Sequence, residues 1–255
     1  MVALAALERP ALTVDDVISA VPMARGAANL MLSRLARKGW LQRLRRGRYA
    51  VVPLSARSSQ GTNEDPLAVA MRLFRPCYIS GWTAAEHWAL TEQVHNAVVV
   101  YSARPQRRSI QPIAGVTYRI RRINPDAVFG TTRLWAGPVA IEMANVHRTV
   151  LDILDAPEMG GGGRQMVDIV RAYWGQPGAD REALLSLAVR LGRGTVFKRL
   201  GFLTEMSGKA DQSWLKTCQA HLSAGVSLLD PGGPHRGPIV TRWRLRINVP
   251  IPATE

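Results

Sequence analysis

"LSRLARKGWLQRLRRGRYAV", residues 32–51, decides the fold at the start of the chain: it holds seven basic side chains and no acid, with Trp40 and Leu41 following Gly39. Just upstream, "ARGAANLMLSRLARKG" predicts a helix ended by Gly39, with Ala24, Ala28, Met31, Leu32 and Leu35 on its inward face. Arg25, Gly26, Asn29, Ser33 and Arg37 fall opposite that face, and Arg34 and Lys38 at its flank. Downstream, "WLQRLRRGRYAVV" alternates as two short strands, Leu41 to Leu44 and Tyr49 to Val52, turned at Gly47 where a positive φ is easily adopted. In "LTVDDVISAVP", Thr13 and Asp16 have the spacing of a reciprocal helix cap. Val14, Val17, Ile18 and Val21 make one buried stripe, closed by Pro22.

Helix, helix and basic hairpin in this order predict a winged helix-turn-helix, whose second helix enters the major groove while the wing grips the neighbouring backbone. Arg25 and Asn29 are then the candidates for base edges, because Arg pairs bidentately with guanine and Asn with adenine, and Ser33 can assist. Arg34, Arg37, Lys38, Arg43, Arg45, Arg46 and Arg48 would meet phosphates and set register. Trp40 and Leu41 anchor the hairpin to the module's core. A basic face can also be merely solvated, and a winged helix can serve only to dock protein; the lack of acids on this face favours DNA.

The charge distribution agrees. The chain of 255 residues carries a formal net charge of +14, which makes a polyanion the expected partner. Residues 1–57 hold ten basic and three acidic side chains, half of that net charge in under a quarter of the length. The two cysteines, Cys77 and Cys218, are far apart and lack ligand spacing, so neither a disulfide framework nor a zinc site is expected, and no metal or other cofactor. No apolar run approaches the roughly 18 residues that cross a bilayer, and the first ten residues do not read as a secretion signal, so a cytoplasmic protein without a membrane partner is expected.

The sequence divides into a module over residues 1–55, a polar linker at 56–64 and a larger domain over 65–255. The larger domain is mixed. Helices are expected around 66–74 and 83–90, and strands at 77–80, 96–102, 115–122, 131–135 and 139–144. Further helices follow near 147–154, 165–174, 180–191, 195–204 and 211–222, with strand-like "VSLLD" and "RWRLRINVP" at the end. The fold class is α+β. A second basic cluster, Arg104, Arg107, Arg108, Arg119, Arg121 and Arg122, has no acid between residues 93 and 125; it reads equally as a solvated sheet face or as a surface for nucleic acid or a phosphorylated ligand.

Catalytic patterns are missing. "SGKA" at 207–210 lacks the flanking residues of a phosphate loop, and "GGGG" at 160–163 has no strand leading into it, so both read as turns. His87, His95, His147, His221 and His235 show no paired ligand spacing; His147 and Asp152 share a helix but not a face. An enzyme is not expected.

The assembled pattern resembles the AbiEi family of bacterial type IV antitoxins over nearly the whole chain. The residues that carry the resemblance are "LSRLARKGWLQRLRRGRYAVVP", "DPLAVAMRLFRPCYISGWTAAEHWAL", "VHRTVLDILDAPEMGGG", "FKRLGFLTE", and "LLDPGGPHRG" with "RWRLRIN". One departure is visible: the family commonly places an acid before Arg-Thr in the third motif, where this chain has His147. The resemblance implies an antitoxin that represses its own operon by binding inverted repeats in the promoter double helix. It further implies a nucleotidyltransferase-like toxin, antagonised by the C-terminal domain without a stable complex. No dimer stripe is visible, so monomers meeting cooperatively on DNA are expected. Two other classes stay open, a regulator whose second domain senses a small molecule and a DNA-processing enzyme.

Overall fold

The computed structural model describes residues 12–37, 41–45, 48–51, 65–113 and 115–251. The chain forms two compact units, Met1–Glu64 and Asp65–Glu255; residues 56–64, expected as a linker, lie outside the described residues.

In the first unit, β1 (Leu12–Thr13) leads into α1 (Val14–Ala20), followed by α2 (Arg25–Arg37), β2 (Leu41–Arg45) and β3 (Arg48–Val51). The reciprocal cap forms as its spacing predicts. The Asp16 N–H donates to the Thr13 hydroxyl at 3.3 Å, and the Thr13 N–H donates back to the Asp16 carboxylate at 2.8 Å. Val14 and Val17 of α1 pack with Ala28 and Leu32 of α2 and with Leu41 and Tyr49 of the antiparallel pair β2–β3. Met31 and Leu35 are half-buried against this core, but Ala24, expected inward, is exposed. It precedes the first helical residue, so the helical period does not yet apply to it, and its carbonyl accepts the first helical bond from the Ala28 N–H at 3.0 Å.

The second unit is built on a six-stranded mixed sheet of β4 (Cys77–Ile79), β5 (Ala97–Ser102), β6 (Ile110–Ile113), β7 (Val116–Arg122), β8 (Thr131–Ala136) and β9 (Val139–Ala144). Their spatial order is β6-β7-β5-β4-β9-β8. The pairs β5–β7 and β4–β9 are parallel and the others antiparallel. β6, with sequence IQPI, is not among the strands expected from the sequence: Pro112 interrupts its strand pattern, and proline is tolerated there because β6 is an edge strand. Strand alternation sends Cys77, Ile79, Val98, Val100, Tyr118 and Ile120 towards α3 (Pro66–Phe74), where Phe74 meets Tyr118 at 5.6 Å. Tyr78 and Tyr101, directly opposite one another in register, stack at 5.4 Å on the other face.

That other face is covered by α4 (Gly81–His87) and α5 (Val146–Asp155), whose buried side continues into a second core with α6 (Gly163–Gly175), α7 (Arg181–Leu191), α8 (Gly194–Met206) and α9 (Gln212–Ala220). A small sheet of β10 (Ser227–Leu228), β11 (Ile239–Val240) and β12 (Leu245–Arg246) ends the described fold. The expected long terminal strand is shorter than its sequence indicates. Thr241–Trp243 forms a single helical turn, and Arg244 has φ 47°. The turn drives Trp243 into the core against Gly201 of α8, where a Cβ would stand 2.1 Å from the indole ring.

Candidate DNA interface and an arginine-lined cavity

On α2 the helical period separates two faces. Ala28 and Leu32 are fully buried, whereas Arg25, Gly26, Asn29, Ser33 and Arg34 are exposed. Arg25, Asn29 and Ser33 follow one another at four-residue spacing, about 6 Å per step along the axis, so three polar side chains line one ridge. No atom lies within 4 Å of a Cβ built at Gly26, so the ridge is flanked by open space. Arg25 pairs with Asp15 of α1 at 2.7 Å, both side chains being about two-thirds exposed. An exposed pair of this kind is worth at most about 1 kcal/mol and exchanges readily for a stronger anion. Lys38 and Arg46 lie outside the described residues, as do the side chains of Arg37, Arg43, Arg45 and Arg48.

The second unit holds a polar cluster in its interior. Arg148 is 1 % exposed, and its Nε donates to Asp152, one turn further along α5, at 2.8 Å. Its Nη2 donates to the Tyr78 hydroxyl at 2.8 Å and to the Ala127 carbonyl at 3.2 Å. Asp152 also accepts from Ser80 at 2.7 Å, and the Tyr101 hydroxyl donates to its main-chain carbonyl at 3.2 Å. Burial works against the charge of Arg148, but Asp152 and Tyr78 outweigh it and hold the guanidinium protonated. Burial, with Asp152 nearby, pushes the Tyr78 hydroxyl well up, so it stays a neutral donor and acceptor.

Arg148 lines a cavity of about 340 Å³ together with Tyr101, Arg121, Arg122, Phe129, Arg190 in the last turn of α7 and Arg193 in the α7–α8 turn. The guanidinium groups of Arg148 and Arg190 sit on the Phe129 ring at 4.2 and 4.1 Å from its centre.

The second basic cluster of the sequence is divided by this architecture. Arg121 pairs with Asp155 at 2.7 Å and Glu158 at 3.1 Å, and Arg122 reaches the cavity. Arg119 lies 4.8 Å over the Trp82 ring. Arg104 donates to the Leu73 carbonyl at 3.1 Å, and Arg107 and Arg108 are exposed between β5 and β6. Both cysteines are free and buried, and burial pushes each thiol up to about 12. Among the described residues no helix is long and apolar enough to cross a membrane, and no group of His, Cys, Asp or Glu could hold a metal ion.

The polar ridge on α2 lies within the part of the chain that known families recognise. Residues 1–52 match the family model described as transcriptional regulator, AbiEi antitoxin. No curated protein sequence matches the chain. Among solved structures, a likeness is found to the RV2827C protein of Mycobacterium tuberculosis, with a TM-score of 0.49 and 15% identity, covering 95% of this chain and 87% of that one.

Beyond the AbiEi match, the motifs of the second unit prove to be its internal fastenings. Arg148 and Asp152 come from "VHRTVLDILD". Lys198 and Arg199 of "FKRLGFLTE" are buried and tie α8 to the terminal segment. The Lys198 ammonium donates to the Gly225 carbonyl at 2.8 Å, and Arg199 donates to the Leu154 carbonyl at 2.5 Å and the Leu228 carbonyl at 2.9 Å. Burial lowers Arg199 to about 10. The "GGGG" turn receives Asp230 of "LLDPGG", whose carboxylate accepts from the Gly163 N–H at the start of α6 at 2.8 Å. A Cβ at Gly163 would stand 2.4 Å from that of Asp230, so only glycine lets the segments approach. Asn248 of "RWRLRIN" closes the set by bonding the main chain of Asp230 on both sides, at 2.9 and 2.7 Å. His147, at the acid's place in the third motif, pairs instead with the Tyr173 hydroxyl of α6 at 2.8 Å and is not part of the cavity lining.

Proposed function

We propose that the first unit is a winged helix-turn-helix that binds double-stranded DNA, and that the protein is an autorepressing antitoxin. The observation that carries this reading is the ridge Arg25–Asn29–Ser33, exposed opposite the buried Ala28 and Leu32, within a segment matching a transcriptional regulator family. A helix about 10–12 Å across fits the major groove, which is about 12 Å wide. Arg25, freed from Asp15, and Asn29 would read bases. Ser33 would assist, and Arg34, Arg37, Lys38, Arg43, Arg45, Arg46 and Arg48 would hold the phosphates. The sites would be inverted repeats in the protein's own promoter, filled by monomers that meet on DNA. The second unit would antagonise a nucleotidyltransferase-like toxin without a lasting complex, as the family resemblance implies.

The test is binding of the purified chain to its own upstream duplex and to a scrambled duplex at several salt concentrations. Sequence-dependent binding is expected, with Arg25→Ala plus Asn29→Ala reducing the preference; each bidentate contact is worth about 1–3 kcal/mol of discrimination. Equal affinity for both duplexes, falling together with salt, would leave only electrostatic attraction and overturn the repressor reading.

A further inference from the structure

We propose that the cavity beside Arg148 is a binding site for a small phosphate-bearing ligand, either free phosphate or a simple phosphate monoester such as a mononucleotide. The proposal concerns the second unit alone and does not depend on the DNA reading of the first.

Charge is the first argument. Five arginines line the cavity: Arg121, Arg122, Arg148, Arg190 and Arg193. Arg121 is matched by Asp155 and Glu158, and Arg148 by Asp152. Among the described residues Arg122, Arg190 and Arg193 have no carboxylate partner, and Asp126 is the one lining acid not already paired. The lining therefore keeps about two positive charges in excess, the amount a phosphate dianion neutralises.

The hydrogen-bond set at the cavity wall is also incomplete. The Arg148 guanidinium has five N–H donors, but its three hydrogen bonds all come from Nε and Nη2, and the buried Nη1 has no protein partner. Buried guanidinium nitrogens are ordinarily satisfied, and this one belongs to a side chain that lines a cavity able to hold a ligand.

Positive charge is also concentrated at one aromatic ring. Arg148 and Arg190 stack on the same phenylalanine ring at 4.2 and 4.1 Å. Two like charges gathered on one ring repel, and an anion held in the cavity that both residues line would offset that repulsion. The 13-residue helix α8 also begins beside the cavity, after Arg193, and has no side-chain cap at its positive end.

The experiment is calorimetric titration of the full chain with inorganic phosphate and with AMP, against chloride at matched ionic strength. Arg190→Ala plus Arg193→Ala removes two exposed lining cations. Arg107→Ala plus Arg108→Ala removes two exposed cations that do not line the cavity, and so is its charge-matched control. Saturable binding is expected in the parent and the control, and at least tenfold weaker binding in the cavity variant. If the double cavity variant does not keep the parent's circular dichroism, Arg193→Glu alone provides the same comparison. Equal affinity for phosphate and AMP assigns the site to the free anion, and tighter AMP binding to a nucleotide; either supports the proposal. Absence of saturable binding, or equal weakening in cavity variant and control, overturns it.

Discussion

Arg148 and Asp152 stand one turn apart on α5 with side chains 1 and 2 % exposed, a pair that water does not screen. Such a pair adds little net stability over an apolar isostere, but breaking it leaves a lone buried charge, at a cost of about 3–5 kcal/mol. Arg148→Met and Asp152→Asn should therefore each lower the unfolding free energy by about that much, and combined in one chain by less than the sum of the two. Denaturant titration of the three variants checks this. Losses that simply add in the combined variant would mean that the residues contribute as separate polar groups and not as a pair. The pair also fixes Arg148 on two sides, and this rigidity keeps its guanidinium at the cavity wall.

At the scale of elements, the helices of both units follow from period and punctuation. Thr13 and Asp16 cap α1, Asp65 caps α3 ahead of Pro66, and Asp180 and Asp211 cap α7 and α9, all through local bonds. Because α1 has only seven residues, its cap is a large share of its stability. Thr13→Ala should cost about 1 kcal/mol and be detected as a lower midpoint for the first unit. What local pattern does not carry is the polar interior. Arg148 and Asp152 read as ordinary polar residues of an amphipathic helix, since the Tyr78, Ser80 and Ala127 that satisfy them come from distant positions. The cavity arginines likewise come from β7, α5, the end of α7 and the α7–α8 turn, so they converge only after folding. Of the basic cluster seen in the sequence, only Arg121 and Arg122 belong to the cavity lining. By contrast, the exposed ridge on α2 was legible, because helical spacing alone places Arg25, Asn29 and Ser33 opposite Ala28 and Leu32.

The contact between α5 and α6 makes a pH prediction of its own. Burial lowers the pKa of His147, while the nearby Asp180 partly opposes this, and Nδ1 pairs with Tyr173. A folded value below the unfolded one, about 6.5, means that the unfolded chain binds more protons in the window between them. Stability should thus fall as pH drops through about 6.5 and stop falling from this cause below the folded value. Asp180, held low mainly by the Ala183 N–H, loses its contribution only below the ordinary carboxylate range. Thermal midpoints between about pH 7.5 and 5.5 should show a shallower slope in His147→Gln than in the parent; parallel slopes would place the titration elsewhere.

For the whole molecule, each unit keeps its own core. Among the described residues Val14, Val17, Ala28, Leu32, Leu41 and Tyr49 bury one another, while the sheet and helical cores of the second unit draw on residues after Asp65. A fragment of residues 65–255 should therefore fold alone, with a cooperative thermal transition of its own. Charge sets the companion expectation. Residues 1–57 carry half of the net +14, and affinity for duplex DNA falls with salt at a slope of about 0.9 per phosphate neutralised. Removing residues 1–64 should abolish specific duplex binding and most of that slope, yet leave phosphate binding unchanged if the arginine cavity is self-contained. A fragment that still bound the promoter duplex with the parent's salt dependence would move the DNA surface to the second unit, where Arg107 and Arg108 are exposed. Lost phosphate binding in a folded fragment would instead overturn the assignment of the ligand site to the second unit alone.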